Sequence, residues 1–208
     1  MKNSAFLIIL LAAALVVVAY MWVRSATATH EPASPVKSTI DDIMTRTSVR
    51  SYSDQAVDSG KIDTLLRAAM AAPTAGNKQP WRFVVIDDRA MLDSIGTNFQ
   101  TMTMARKASV AVIMCGDLTA TFDGDGREYW VQDVSAATEN LLLAAHALGL
   151  GAVWCGIYPK MDRVAQFSEM LDLPENIVPM ACICIGYPDA ESTPKDKWKP
   201  ANVHYNRW

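Results

Sequence analysis

The feature that most constrains this chain is an uncharged apolar run, AFLIILLAAALVVVAYMWV from Ala5 to Val23, bounded by Lys2 and Arg24. At ~1.5 Å per helical residue it is long enough to cross a hydrocarbon core of ~30 Å, so a membrane segment is expected there. Signal-peptide cores span roughly 7 to 15 residues, which favours an uncleaved N-terminal anchor over residues 1–24. Ala26-Thr27-Ala28 resembles a small-residue cleavage site, and export after signal cleavage is the alternative. Lys2 and the amino terminus on one side face Arg24 alone on the other, a small bias that would put the C-terminal domain outside. Residues 25–37, with Pro32 and Pro35 among Ser, Thr and Ala, read as a linker, so the folded domain is expected over 38–208.

The chain as a whole is 50% hydrophobic and 20% charged, a globular composition able to build a packed core. Lys+Arg 19 against Asp+Glu 22 gives a net charge of -3, without the basic footprint that phosphate-backbone binding needs, and no nucleic-acid partner is expected. Ser38 and Asp41 at capping spacing open a short helix to Arg46 that carries Ile40, Ile43 and Met44. A second helix is expected from Ser59 to Ala72, stopped by Pro73, with Pro73 to Pro80 as a loop. Trp81 to Ile86 and Ala108 to Cys115 read as strands, both two-sided and central, with a helix from Ala90 to about Gln100 between them. Arg127 to Leu148 is the longest helical stretch, with Gly149 as its C-terminal cap. A strand at Ala152 to Ile157, a helix at Asp162 to Leu171, a strand at Val178 to Ile185 and a Pro- and Lys-containing tail complete the chain. This order argues for an α+β fold with a small sheet sandwiched by helices.

Nucleophilic and nucleotide-loop signatures are missing. There is no Gly-x-Ser-x-Gly, the three histidines are scattered at His30, His146 and His204, and no phosphate-binding GxxxxGK[ST] occurs. Gly124/Gly126 and Gly149/Gly151 lack the strand-then-helix setting of a dinucleotide fold, and Asp123-Gly124-Asp125-Gly126 reads as a surface turn. Cys115, Cys155, Cys182 and Cys184 lie in apolar runs and are expected to be buried thiols, the last two on one face of a strand. Arg46-Thr47-Ser48-Val49-Arg50 places two guanidiniums and two hydroxyls within five residues, which suits a phosphate. Taken alone it more readily fits a solvated helix end capped by Ser48.

Four blocks change that balance: RTSVRSY (Arg46 to Tyr52), LLRAAMAAPTAGNKQPWRFVVIDD (Leu65 to Asp88), NLLLAAHALGLGAVWCG (Asn140 to Gly156) and IGYPDAESTPKDKWKP (Ile185 to Pro200). In this order they resemble the nitroreductase family of FMN flavoproteins, over about 170 residues. The resemblance implies a helix-sheet-helix sandwich and a homodimer with FMN at the subunit interface. It implies that Arg46, Ser48 and Arg50 hold the FMN phosphate and ribityl chain, with Thr47 contributing through its backbone and Lys195 and Lys197 meeting the same phosphate. The family often has Arg where Lys197 stands, and Lys keeps the charge while giving up the bidentate fork. Pro73, Thr74, Ala75 and Asn77 match a loop lying against the flavin, although Asn77 alone also fits a loop residue bonding its own surroundings. Trp154, Cys155, Gly156 and Ile157 match the segment whose backbone N–H points at flavin N5. The implied reaction is ping-pong: NADH or NADPH reduces FMN, which then reduces a small-molecule acceptor such as a nitroaromatic, a quinone or a flavin. The segment between Cys115 and Arg127 is short for a substrate lid. A non-catalytic, membrane-tethered flavin-binding or interaction module with the same fold is the alternative, separable by whether these donors reduce the bound flavin.

Overall fold

The computed structural model describes residues 15–21 and 39–208, and the chain divides into two units, Met1–Lys37 and Ser38–Trp208. In the first unit residues 15–21 are helical and exposed. Among the described residues no helix is long and apolar enough to cross a membrane. The remainder of the Ala5–Val23 run, the proposed cleavage site, the linker and the Ser38 cap lie outside the described residues.

The second unit is built on a four-stranded sheet of β1 (Trp81–Ile86), β2 (Val110–Asp117), β3 (Gly151–Gly156) and β4 (Ile177–Gly186). The spatial order is β1-β2-β4-β3 and every pairing is antiparallel. Alternation along the two central strands sorts their side chains onto two buried faces. Val110, Val112 and Met114 of β2 join Ala181, Ile183 and Ile185 of β4 on one face; Ala111, Ile113 and Cys115 join Cys182 and Cys184 on the other. The first face is covered by α2 (Ser59–Met70) and α4 (Tyr129–Ala147), through Leu65, Ala69, Val134, Ala137 and Leu141. The second is covered by α3 (Arg89–Asn98) and α5 (Met161–Met170), where Leu92, Ile95 and Phe167 are fully buried. Burying a side chain of this size contributes about 1.5 to 3 kcal/mol.

Local chemistry explains where the helices begin and end. Asp58 accepts from Lys61 N–H at 3.0 Å and Asp88 from Met91 N–H at 2.9 Å, each satisfying an orphan donor of the first turn. At the end of α4, Gly149 takes φ 73, its N–H donates to His146 O, and Leu150 N–H donates to Ala145 O. These two bonds make a Schellman stop, for which a residue without Cβ suits the left-handed step.

Three sequence expectations change. Trp81–Ile86 is an edge strand rather than a central one, with Val85 exposed, because an apolar hexapeptide does not encode how many neighbours it pairs with. The long helix starts at Tyr129 rather than Arg127, preceded by a 3-10 turn at Gly124–Glu128 that takes up the Asp-Gly-Asp-Gly segment. Helix α1 (Thr39–Thr45) buries no residue: Ile40 and Met44 are 65% and 70% exposed, and the helix is held instead by polar contacts, with Thr45 Oγ1 2.8 Å from His146 Nε2.

Candidate functional site

After α1 the chain runs beside the outer edge of β3. Val49 N–H donates to Ala152 O at 3.0 Å, and Ser48 bridges Ala152 in parallel. Gly151 lets this happen: a Cβ there would come within 2.6 Å of Val49 Cγ1. Tyr52 pins the end of the segment from inside the core, its hydroxyl 2.8 Å from Val49 O and 2.9 Å from Cys184 O. Burial first, then the neighbouring Cys184, pushes the Tyr52 hydroxyl far up, so it stays a proton donor.

This placement assembles a cavity of about 880 Å³ lined by Arg46, Thr47, Ser48, Arg50, Lys195 and Lys197. Residues about 150 apart in sequence thus share one wall, with Glu139 and Trp198 beside them. Arg46 lies 3.3 Å from Glu139 of α4. A second cavity of about 490 Å³ is lined by Trp154, Cys155, Gly156 and Ile157, together with Lys160 and Arg163. Arg50 lines both cavities and connects them.

The wall of the second cavity is the unpaired side of an edge strand. In the β3 to β4 ladder the polar groups of alternate residues point away from the partner strand. Ala152 is outward, since its carbonyl accepts from Val49, so Trp154 and Gly156 are outward too, and Gly156 O accepts from Arg163 Nη1 at 3.0 Å. The Trp154 and Gly156 N–H groups therefore face away from the sheet. A Cβ on Gly156 would meet nothing within 4 Å, so bare backbone faces open space.

Cys155 is buried among sulfur atoms, with Met104 Sδ 3.9 Å from its Sγ. Hydrogen bonding with Cys184, and then burial, push its thiol far above the ordinary range, so it is protonated at neutral pH and a poor nucleophile. All four cysteines are free and buried, and Cys182 and Cys184 share one face with their sulfurs 4.0 Å apart.

Pro73, Thr74, Ala75 and Asn77 line neither cavity. Their loop folds on itself: Gly76 and Asn77 both take positive φ, and Asn77 Oδ1 accepts from Gln79 Nε2 at 2.8 Å. It is clamped by Ala75 N–H donating to Asp133 Oδ1 at 2.9 Å. Asp133, 5% exposed on α4, was not singled out from the sequence, nor were Thr101, Lys160 and Arg163. A carboxylate between Trp130 and Val134 on the apolar face of a long helix is a signal that could have found Asp133. The cations after Pro159 carry no such pattern.

Comparison with known proteins bears on the fold and the family. The model of the Nitroreductase family matches residues 43–100 and 97–187. A protein of Archaeoglobus fulgidus with a provisional assignment as NADH dehydrogenase/NAD(P)H nitroreductase is 43% identical over 169 residues, 80% of this chain and 96% of that one. A crystal structure from Bacteroides thetaiotaomicron with the same assignment is 43% identical, with a TM-score of 0.77 over 82% of this chain and 98% of the other. The FMN-dependent nitroreductase of Clostridium difficile is 28% identical, with a TM-score of 0.73 over 81% of this chain and 99% of its own. With nearly all of its folded unit matched in sequence and in structure, the chain belongs to the nitroreductase family.

Proposed function

We propose that this chain, an FMN-dependent oxidoreductase using NADH or NADPH, works by a ping-pong cycle that ends on a small-molecule acceptor such as a nitroaromatic, a quinone or a flavin. The observation that carries this reading is Arg50, shared by a cationic cavity on one side and the outward N–H groups of β3 on the other. The donor set fits FMN. Arg46, Arg50, Lys195 and Lys197 supply four cations for a phosphate dianion, and Ser48 and Thr47 line the same wall. Gly156 leaves open space against which a planar ring can lie, and the Trp154 and Gly156 N–H groups offer donors to a ring nitrogen. When bound, FMN supplies the redox chemistry, accepting hydride from the nicotinamide and giving it up to the acceptor. The chain's residues then anchor the phosphate, orient the ring along β3 and stabilise charge at its polar edge. An acid/base dyad is not required of them.

A homodimer is supported by two observations. The Pro73–Asn77 loop, which family resemblance puts against the flavin, lines neither cavity of its own chain, and α1 presents exposed Ile40, Ile43 and Met44 beside the larger one. A second copy would supply the loop and cover the helix, with the site complete only between subunits. Light scattering on the purified protein checks this, and a stable monomer holding FMN would contradict it.

The Ala5–Val23 run would hold the domain at a membrane and favour a lipophilic acceptor. Fractionation with N-terminal mass analysis decides it: a soluble form starting near Thr29 would instead mean a cleaved signal. The central test is to purify the full chain, record its flavin spectrum and titrate it anaerobically with each donor. Bleaching of the bound flavin is expected, and a flavin that neither donor reduces would sink the enzymatic reading.

A further inference from the structure

The smaller of the two cavities is lined by cations with no acid among them. Its lining includes three cations, Arg50, Lys160 and Arg163, and no carboxylate, in a chain whose net charge is -3. Among the described residues none of the three is in an ion pair, whereas Arg46, Arg82, Arg89 and Lys107 each lie beside an acid. Arg163 is half-buried and oriented by Gly156 O, which takes one of its five N–H donors. Lys160 is fixed by backbone bonds on both sides, its N–H to Ile157 O at 3.0 Å and its carbonyl to Val164 N–H at 3.0 Å. Arg50 and Arg163 line the same cavity as Trp154, Cys155 and Gly156 of β3, so both guanidiniums border one stretch of that strand. Uncompensated cations on a rigid wall call for an anionic visitor.

Trp154 adds the second half of the recognition. It lies 36% exposed on the same wall, and Tyr158 lines the same cavity, giving planar apolar surface alongside the charges. Planar rings joined to phosphates describe a dinucleotide, and the cavity opens along the part of β3 assigned to the flavin ring.

We propose that Lys160 and Arg163 bind the phosphate groups of the nicotinamide reductant and make this protein favour NADPH over NADH. The inference rests on the flavin reading of the site, which places the reacting ring beside this cavity. The 2′-phosphate of NADPH adds about 1.5 to 2 negative charges at neutral pH, so a site with cations and no acid gains more from NADPH. These residues recognise the reductant and take no part in hydride transfer; their loss therefore falls on KM rather than on kcat.

The test compares the full-length protein with the Lys160→Ala/Arg163→Ala double variant and with Arg163→Lys. Flavin content is read from the absorption spectrum, and calorimetry gives the Kd of the unreactive NADP+ and NAD+ at two salt concentrations. The double variant should keep its flavin, bind NADP+ at least tenfold more weakly and NAD+ less affected, and lose most of the salt dependence of NADP+ binding. Arg163→Lys, which keeps the charge, should recover part of the affinity. An unchanged Kd for NADP+ in the double variant overturns the proposal, and so does an equal loss for NAD+, which would remove the preference. A wild-type protein that holds no FMN overturns the flavin reading instead, while the binding measurements still decide the role of Lys160 and Arg163.

Discussion

The two edges of the sheet carry the same kinds of residue and put them to opposite uses. On the outer strand β1, Arg82 reaches Asp117 at 2.7 Å, and Asp117 also accepts from Thr119 N–H, Thr119 Oγ1 and Asn176 Nδ2. On the other outer strand, β3, the nearby guanidiniums of Arg50 and Arg163 meet no carboxylate and face a cavity. Burial alone would push Asp117 up. The hydrogen bonds from Thr119 and Asn176, with Arg82 beside them, outweigh it and hold the carboxyl below its ordinary range. An arginine at a sheet edge is thus structural where a buried carboxylate answers it, and left available to a ligand where it faces open space instead.

Removing the acid at the β1 edge tests this difference most severely. Asp117→Ala leaves Arg82, Thr119 and Asn176 without their shared acceptor and should cost about 3 kcal/mol, the lower end of the range for a broken buried pair because Arg82 is half-exposed. Denaturant unfolding measures the loss, and the folded fraction should retain its flavin. At the other edge Arg50→Ala should do the reverse, weakening FMN retention by about 1.5 to 3 kcal/mol with little change in unfolding. An Arg50→Ala protein that purifies fully loaded would remove the contrast.

Acid sharpens the comparison at a smaller scale. Because the folded Asp117 carboxyl titrates below its unfolded value of about 3.9, its stabilisation is complete above that pH and is lost as pH falls through the folded value. Thermal unfolding of Asp117→Asn and the parent protein should therefore differ at pH 6 and converge toward pH 2; a constant gap would assign the effect to shape rather than charge. The smallest effect is expected at Cys155 on the β3 wall. Its thiol is held neutral, so Cys155→Ala should keep most NAD(P)H-dependent turnover, and a hundredfold loss with FMN still bound would make the sulfur a participant.

What the chain encodes locally could be found without the structure. The stop at Gly149 and the break at Pro73 were read directly; the caps at Asp58 and Asp88 depend on residues equally near but were not singled out, and the structure supplied them. The two-sided burial of the strand read at Ala108 to Cys115 was legible for the same reason, since a continuous apolar run rich in β-branched residues has no polar face to turn to water. The Arg46 and Lys195 segments were linked only by resemblance to a family, because nothing in the spacing of residues so far apart requires them to meet.

The tertiary structure alone decided matters of pairing. Trp81–Ile86 and Val110–Asp117 look alike as sequences, yet one is an edge and the other is central, because strand order is chosen by how the helical layers cover the sheet. The same holds for charge: Arg82 and Arg163 are equivalent until one is placed beside Asp117 and the other beside a cavity. Whether an ionic side chain is satisfied depends on groups brought to within about 4 Å by the fold, a distance over which sequence separation carries no information.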